Sequence, residues 1–204
     1  MRFRKAYLFR FLSGHGGDFF ITLACGCSTT FLKSFSYDGE LEGRIDEFKE
    51  TGLAYGCNTG GKLIESTWDE YKKQIQDDID YQKGRKHLRN MEYPNVAFTT
   101  HYAQNKVDIK SNLEEWLNIS VTEVNLLPTT EQSWSWVDYH YHNYRVTEDI
   151  SVNGIDHIDL LLNDRNKLYE HIENIGENIN WNYVDKWMDA YTERKIKPFL
   201  ENGS

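Results

Sequence analysis

The N-terminal part of the chain carries an apolar run that breaks into a glycine-rich turn and then resumes at helical spacing. Residues 7–12 have the length and composition of a buried strand. The turn Ser13-Gly14-His15-Gly16-Gly17 follows, and the apolar residues from Phe19 to Cys27 then fall on one face of a helix. A strand, a glycine turn and a helix together let backbone amides hold an anion. The sequence therefore predicts an anion cradle between Ser13 and Asp18.

The missing lysine and the presence of Asp18 leave a purely structural interpretation of this turn open. A Walker-type loop requires a Gly-Lys pair followed by Ser or Thr, and no lysine stands here. Asp18 would compete with a bound phosphate at the start of the helix. The alternative is a tight strand-to-helix turn in which Asp18 caps the helix.

Composition limits the classes of protein that the chain can belong to. Its 204 residues suit a single α/β domain, residues 1–204, with a substantial core. A formal charge of −9 argues against non-specific binding to nucleic acid, which depends on clustered lysine and arginine. No apolar run has the length that spans a bilayer. We therefore expect a cytoplasmic protein without nucleic-acid or membrane partners.

The three cysteines do not suggest a disulfide framework. Cys25 and Cys27 are two positions apart and diverge on a helix, and Cys57 is distant in sequence. Buried thiols in a reducing compartment are the favoured interpretation. A metal site formed by the three cysteines and a histidine is the alternative.

Further along the chain, strands are predicted to alternate with helices. Strands are expected at 96–100, 121–127 and 157–162. Helices are expected at 44–50, from Ser66 to about Asn90, from Ser111 as a cap, from a Thr129/Gln132 capping box to about Arg145, from Asp164 to a stop at Gly176, and from Asn180 to a stop at Pro198. This alternation predicts a three-layer α/β fold, with a mostly parallel sheet and helices on both faces.

Three histidine positions carry candidate chemistry. His101 follows the strand at 96–100, at the sheet edge where ligands bind in open α/β folds, although a structural histidine is the alternative. His140 and His142, with Asp138, could bind a metal if this stretch were a strand. Because we predict a helix here, aromatic core packing is favoured instead.

The order of these elements resembles that of the P-loop-type sulfotransferases. The resemblance is carried by the glycine loop after the first strand, by Thr100-His101 at the end of a middle strand, and by Pro128 between a later strand and a serine-bearing helix. In that family the first loop binds the 5′-phosphosulfate of PAPS, and the histidine acts as general base. A later arginine and serine hold the 3′-phosphate of PAPS.

The resemblance implies a P-loop NTPase/sulfotransferase-like fold and a PAPS-dependent transfer of a sulfuryl group to a small-molecule or carbohydrate hydroxyl. His101 would be the base that takes the hydroxyl proton. His15 would assist the transferring oxygens in its protonated form, which Asp18 would favour. The implied cofactor-binding residues are Ser13, Gly14, His15, Gly16, Gly17, Asp18, Phe19, Ser133 and Ser135.

The chain departs from the family pattern at three phosphate-binding positions. His15 replaces the usual lysine or arginine of the loop, and Asp18 replaces the usual threonine. Leu126 stands roughly where the 3′-phosphate arginine belongs. The alternative is therefore a non-catalytic P-loop-fold protein that acts by binding or assembly. A kinase-like nucleotide enzyme is disfavoured because the Gly-Lys-Ser/Thr element is missing.

Overall fold

Three parallel strands form the sheet of this α/β protein. The computed structural model describes residues 3–12, 14–31, 38–51, 68–83, 94–101, 108–140 and 153–202. The strands are β1 (Ala6–Phe11), β2 (Val96–His101) and β3 (Val121–Leu126). They lie in the order β2-β1-β3, so that the N-terminal strand is central. The predictions of strands at 7–12, 96–100 and 121–127, and of parallel pairing, are confirmed.

Helices occupy most of the remaining described chain, and two of them contain π-helical turns. They are α1 (Gly17–Ile21, followed by a π-helix at Thr22–Gly26), α2 (Asp38–Thr51), α3 (Trp68–Lys83), α4 (Ile109–Leu117), α5 (Glu131–His140), α6 (His157–Asn163), α7 (Arg165–Ile175), α8 (Trp181–Tyr191, followed by a π-helix at Thr192–Ile196) and α9 (Lys197–Asn202). Among the described residues, no helix is both long and apolar enough to cross a bilayer.

Apolar side chains of the central strand alternate between two separate cores. Tyr7, Phe9 and Phe11 belong to the larger cluster, to which α1, α2 and α5–α9 contribute. Ala6 and Leu8 belong to a smaller cluster on the opposite face, to which α4 contributes. Successive strand residues point to opposite faces, so both faces of the sheet are covered. The expectation of helices on both faces is confirmed.

The predicted strand at 157–162 is wrong, because these residues form helix α6. Asp156 is its N-cap and accepts a hydrogen bond from the amide of Asp159 at 3.1 Å. A short apolar run fits a buried strand and a buried helix equally well, so periodicity alone could not decide between them. Just before this helix, Ile155 pairs with the sheet through an isolated parallel bridge to Leu126.

The sequence predicts that the last helix stops at Pro198, and this prediction is wrong. Helix α9 continues through Pro198 to Asn202. Proline lacks an amide hydrogen and crowds the preceding turn, which normally breaks a helix. Here the π-helix at Thr192–Ile196 lies directly before the proline. This wider turn changes the hydrogen-bond register, so the chain continues helically past Pro198.

Two predicted helix caps are displaced by a few residues. The N-cap of α4 is Asp108, whose carboxylate accepts from the Ser111 amide at 3.1 Å, so Ser111 is not the cap. At α5, Thr130 and Ser133 bond reciprocally, each amide donating to the other hydroxyl at 3.1–3.2 Å. This pair replaces the predicted Thr129/Gln132 capping box. At both helix starts, several residues that can cap a helix lie close together, so the sequence alone does not show which of them is the cap.

Other predicted boundaries agree with the structure where they can be compared. The Asp164 side chain caps α7, and Gly176 follows its last residue. Asn180 precedes α8 as predicted. The predicted helix at 44–50 lies within the longer α2. The predicted start at Ser66 and the predicted ends at Asn90 and Arg145 lie outside the described residues.

Candidate functional site

The glycine-rich turn lies at the carboxyl end of the central strand and has a left-handed backbone at two positions. Gly14 has φ 85° and Gly16 has φ 81°, values that glycine adopts without strain. The His15 amide donates to the Leu12 carbonyl at 3.1 Å and closes the turn. Helix α1 then begins at Gly17 with Gly16 as its N-cap. The interpretation of Asp18 as the helix cap is therefore wrong, since Asp18 lies inside the first helical turn.

His15 does not face solvent from this turn. Its side chain is completely buried, and Nε2 lies 3.4 Å from Oδ1 of Asp156. An ionised carboxylate only accepts hydrogen bonds, so the His15 Nε2–H donates. Nδ1 of His15 is buried without a hydrogen-bond partner among the described residues. The side chain of His15 is thus turned toward α6 and not toward solvent.

The Asp156 carboxylate binds donors from the turn between β3 and α5. Its Oδ2 accepts from the amide of Thr129 at 2.5 Å and from the Thr129 hydroxyl at 3.1 Å. It also accepts from the amide of Thr130 at 3.3 Å and from the hydroxyl of Ser133 at 2.5 Å. Amides and hydroxyls at a strand-to-helix turn are the groups that hold anions in proteins. Here the bound anion is a side chain of the protein itself.

These contacts fix the ionisation state of Asp156. Burial alone would raise the pKa of its carboxyl group. Hydrogen bonds from the side chains of His15 and Ser133, and from the amides of Thr129 and Asp159, outweigh burial and hold that pKa well below its usual value. Asp156 is therefore a buried, ionised carboxylate that joins the first loop, the β3–α5 turn and the start of α6.

His157 holds the same loop from the other side. Its ring lies 4.4 Å from the ring of His15, centroid to centroid, and its Nε2–H donates to the Gly16 carbonyl at 3.1 Å. Burial and, after it, the neighbouring His15 lower the pKa of His157 well below its ordinary value. A Cβ atom added at Gly16 would lie 2.6 Å from the Tyr191 hydroxyl oxygen. The loop therefore packs closely against α6 and α8.

His101 lies next to the loop, with one aromatic ring between them. It is the last residue of β2, pairs in register with Phe11, and is 5% exposed. Its ring centroid lies 4.6 Å from that of Phe11. A Cβ at Gly17 would collide with the same Phe11 ring. The candidate base and the glycine loop thus share Phe11 as a common neighbour at the carboxyl edge of the sheet.

The remaining predicted site residues are dispersed. Phe19 is buried and stacks on Tyr191 with ring centroids 3.8 Å apart, so it is a core residue. Ser135 is exposed on α5, whereas Ser133 is fully buried. Ser13 lies outside the described residues. Of the predicted set, His15 and Ser133 are brought together, and Asp156 joins them.

The alternative metal sites receive no support within the described chain. Cys25 and Cys27 are buried, while Cys57 and His142 lie outside the described residues. His140 packs its ring 4.1 Å from Trp136, as the aromatic-packing interpretation expected. No group of three or more His, Cys, Asp or Glu side chains in the described ranges is placed to hold a metal ion.

Sequence reasoning missed Asp156 and His157, which organise the site. Asp156 followed by Asp159 before an apolar run is a helix-start signal. Interpreting 157–162 as a strand concealed it. Apart from the Asp159 amide, the hydrogen-bond partners of Asp156 lie 23–141 residues away along the chain, so no local pattern predicts them.

The fold defines this chain as an α/β protein with a parallel sheet, and comparison with known proteins does not narrow that class. No family model, curated protein or solved structure matches the chain.

Proposed function

We propose that this chain is a non-catalytic binding protein of the P-loop-like α/β class that does not hold PAPS. The observation that carries the proposal is the position of the Asp156 carboxylate. It accepts from the amides of Thr129 and Thr130 and from the hydroxyls of Thr129 and Ser133, in the turn where the resemblance would place the 3′-phosphate. In the first loop, the His15 side chain is fully buried and pairs with the same carboxylate.

Energetics favour the internal carboxylate over an entering phosphate. Hydrogen bonds to a charged group contribute about 1.5–3 kcal/mol each. A phosphate or phosphosulfate would have to break several such bonds and leave Asp156 buried without partners. The missing loop lysine removes the cation that would offset this cost. The alternative of the resemblance, a P-loop-fold protein without cofactor binding, is therefore the better supported function.

The position of His101 favours a second candidate, PAPS-dependent sulfuryl transfer to a hydroxyl acceptor. His101 ends β2 directly beside the end of β1, from which the glycine loop departs. As a base it would take the acceptor proton while the acceptor oxygen bonds to sulfur and PAP leaves with its bridging oxygen. This function requires Asp156 to release its donors when PAPS binds.

Calorimetric and thermal-shift titrations with PAP, PAPS, ATP and GTP separate the two candidates. Silence from all four ligands supports the binding protein, whereas PAP binding supports the transferase. A ligand at 100 times its dissociation constant adds about 2.7 kcal/mol of stability, or roughly 5–10 °C in melting temperature. If PAP binds, His101→Ala should abolish transfer and retain PAP binding. Loss of both would make His101 structural.

A further inference from the structure

A surface cavity between helices α7 and α8 has an aromatic wall and an acidic rim. Its volume is about 300 Å³, enough for a small ligand head group. It uses none of the residues of the site around Asp156, so it stands independently of the proposed function. Its described lining residues are Tyr169, Glu170, Glu173, Trp181 and Asp185.

The two aromatic rings are held in a fixed relation. Tyr169 and Trp181 meet edge to face, with ring centroids 5.5 Å apart and an interplanar angle of 72°. The Tyr169 hydroxyl donates to the Asp185 carboxylate at 2.5 Å, which ties the ring to α8. Trp181 remains 37% exposed although it is one of the largest apolar side chains. The pocket therefore presents part of an indole ring to solvent on a rigid support.

The charged residues of the lining are all acidic, and Arg165, a cation that acts on Tyr169 from nearby, pairs with Asp189 at 3.6 Å. Glu170, Glu173 and Asp185 contribute carboxylates, and none of the described lining residues is basic. The positive end of the α8 dipole, near Trp181, amounts to about half a charge and falls off within one turn. Three carboxylates outweigh it. The potential in the pocket therefore favours a cation.

We propose that this pocket binds a small organic cation with an alkylammonium head group. An aromatic face attracts cations through its quadrupole, most strongly when the cation is bulky and weakly hydrated. A metal ion would instead require several oxygen ligands converging on one point. The carboxylates supply the charge, and the Trp181 and Tyr169 rings supply the apolar surface for the methyl or methylene groups.

The chemistry of the Tyr169 phenol is compatible with cation binding over a wide pH range. Burial and then the hydrogen bond to Asp185 raise the pKa of Tyr169 to about 12. The phenol therefore remains a neutral donor at every pH used for binding measurements, and the geometry of the aromatic wall is preserved.

The test is a titration of the full chain with choline. Binding is monitored through the indole N–H signals of the tryptophans in NMR spectra. The neutral isostere 3,3-dimethylbutanol, in which carbon replaces the ammonium nitrogen, is the matched ligand control. The signal of Trp181 is assigned with the Trp181→Phe variant. Trp134 is similarly exposed at 40%, on α5, so Trp134→Ala is the matched protein control.

The expected result is a saturable shift of the Trp181 signal by choline, with a dissociation constant on the order of 1 mM. Glu173→Gln should weaken binding several-fold, added salt should weaken it further, and Trp134→Ala should leave it unchanged. Trp181→Ala should abolish it. If Trp181→Ala fails to fold, Glu173→Lys provides the same test by reversing one rim charge. Equal binding of 3,3-dimethylbutanol, or no saturable shift with choline, would overturn the proposal.

Discussion

Nε2 of His15 lies 3.4 Å from Oδ1 of Asp156, although the two residues are 141 positions apart in sequence. Both side chains are buried, and the contact joins the glycine loop after β1 to the start of α6. Since Asp156 also binds the β3–α5 turn, one carboxylate connects the ends of two neighbouring strands. The position of the His15 side chain beneath the glycine loop therefore depends on Asp156.

Asp156→Asn should strongly destabilise the protein. The asparagine amide group would place N–H donors against the donors of Thr129 and Ser133, and His15 would lose its charged partner. Leaving such buried groups unsatisfied costs about 1–3 kcal/mol each, so we expect a loss of roughly 3 kcal/mol or more. Urea denaturation followed by circular dichroism measures it.

The matched control for this substitution is Asp138→Asn, which removes an exposed carboxylate of α5. Its effect should remain within about 0.5 kcal/mol. A double-mutant cycle of Asp156→Asn with His15→Gln should give a coupling free energy of about 1 kcal/mol or more. Equal effects of Asp156→Asn and Asp138→Asn would mean that the carboxylate does not hold the loop.

Gly16→Ala should destabilise the protein by about 2 kcal/mol or more. The left-handed φ of 81° is strained for alanine, and the new Cβ would lie 2.6 Å from the Tyr191 hydroxyl oxygen. Gly43 is the control, because a Cβ there meets nothing within 4 Å in helix α2. Gly43→Ala should stabilise by about 0.5–1 kcal/mol. Effects of the same sign in the two variants would contradict the described loop geometry.

Local patterns in the sequence predicted those elements whose signals are contained in a few neighbouring residues. The apolar run at 7–12, the buried strand at 96–100 and the Asp164 and Gly176 boundaries of α7 belong to this group. The parallel arrangement followed from the long connections between strands. The glycine turn was predicted as well, because its glycines indicate a left-handed backbone.

The site itself depended on contacts that no local pattern encodes. The bond between His15 and Asp156 and the packing of His157 on Gly16 exist only because α6 returns to the sheet edge. An apolar run of six residues could not reveal whether 157–162 forms a strand or a helix. The sequence therefore predicted the glycine turn but could not predict that its histidine pairs with a carboxylate that also binds the β3–α5 turn.

Substitution of Asp108 and Ser111 tests which of the two residues caps α4. Asp108→Ala should lower the melting temperature, because the carboxylate accepts from both the amide and the hydroxyl of Ser111. Ser111→Ala removes only the hydroxyl bond and leaves the cap in place, so it should cost a few tenths of a kcal/mol. Thermal melts of the two variants compare them directly. A larger loss for Ser111→Ala would restore Ser111 as the cap.

Acidification should destabilise the protein in a window set by the buried His157 and the half-buried His140. Burial, with a smaller effect of Lys195, lowers the pKa of His140 to about 4, and burial also lowers that of His157. In the unfolded chain both would titrate near 6.5. Because the folded-state pKa of each histidine lies below its unfolded value, the unfolded chain binds more protons as the pH falls. The contribution of the neutral histidines to the free energy of unfolding is therefore fully present above pH 6.5. It is lost as the pH falls toward the folded-state pKa.

The free energy of unfolding should therefore decline below about pH 6.5, by at most about 1.4 kcal/mol per pH unit for each histidine. His140→Gln should reduce this slope between pH 6.5 and 4, whereas Asp138→Asn should leave it unchanged. Asp156 adds a separate loss that begins only below its unfolded pKa of about 3.9, because its pKa is also depressed in the folded state. Urea titrations from pH 8 to pH 4.5 isolate the pH range in which the histidines titrate. If the free energy of unfolding did not change over this range, the two imidazoles would be solvated and would protonate freely in the folded protein.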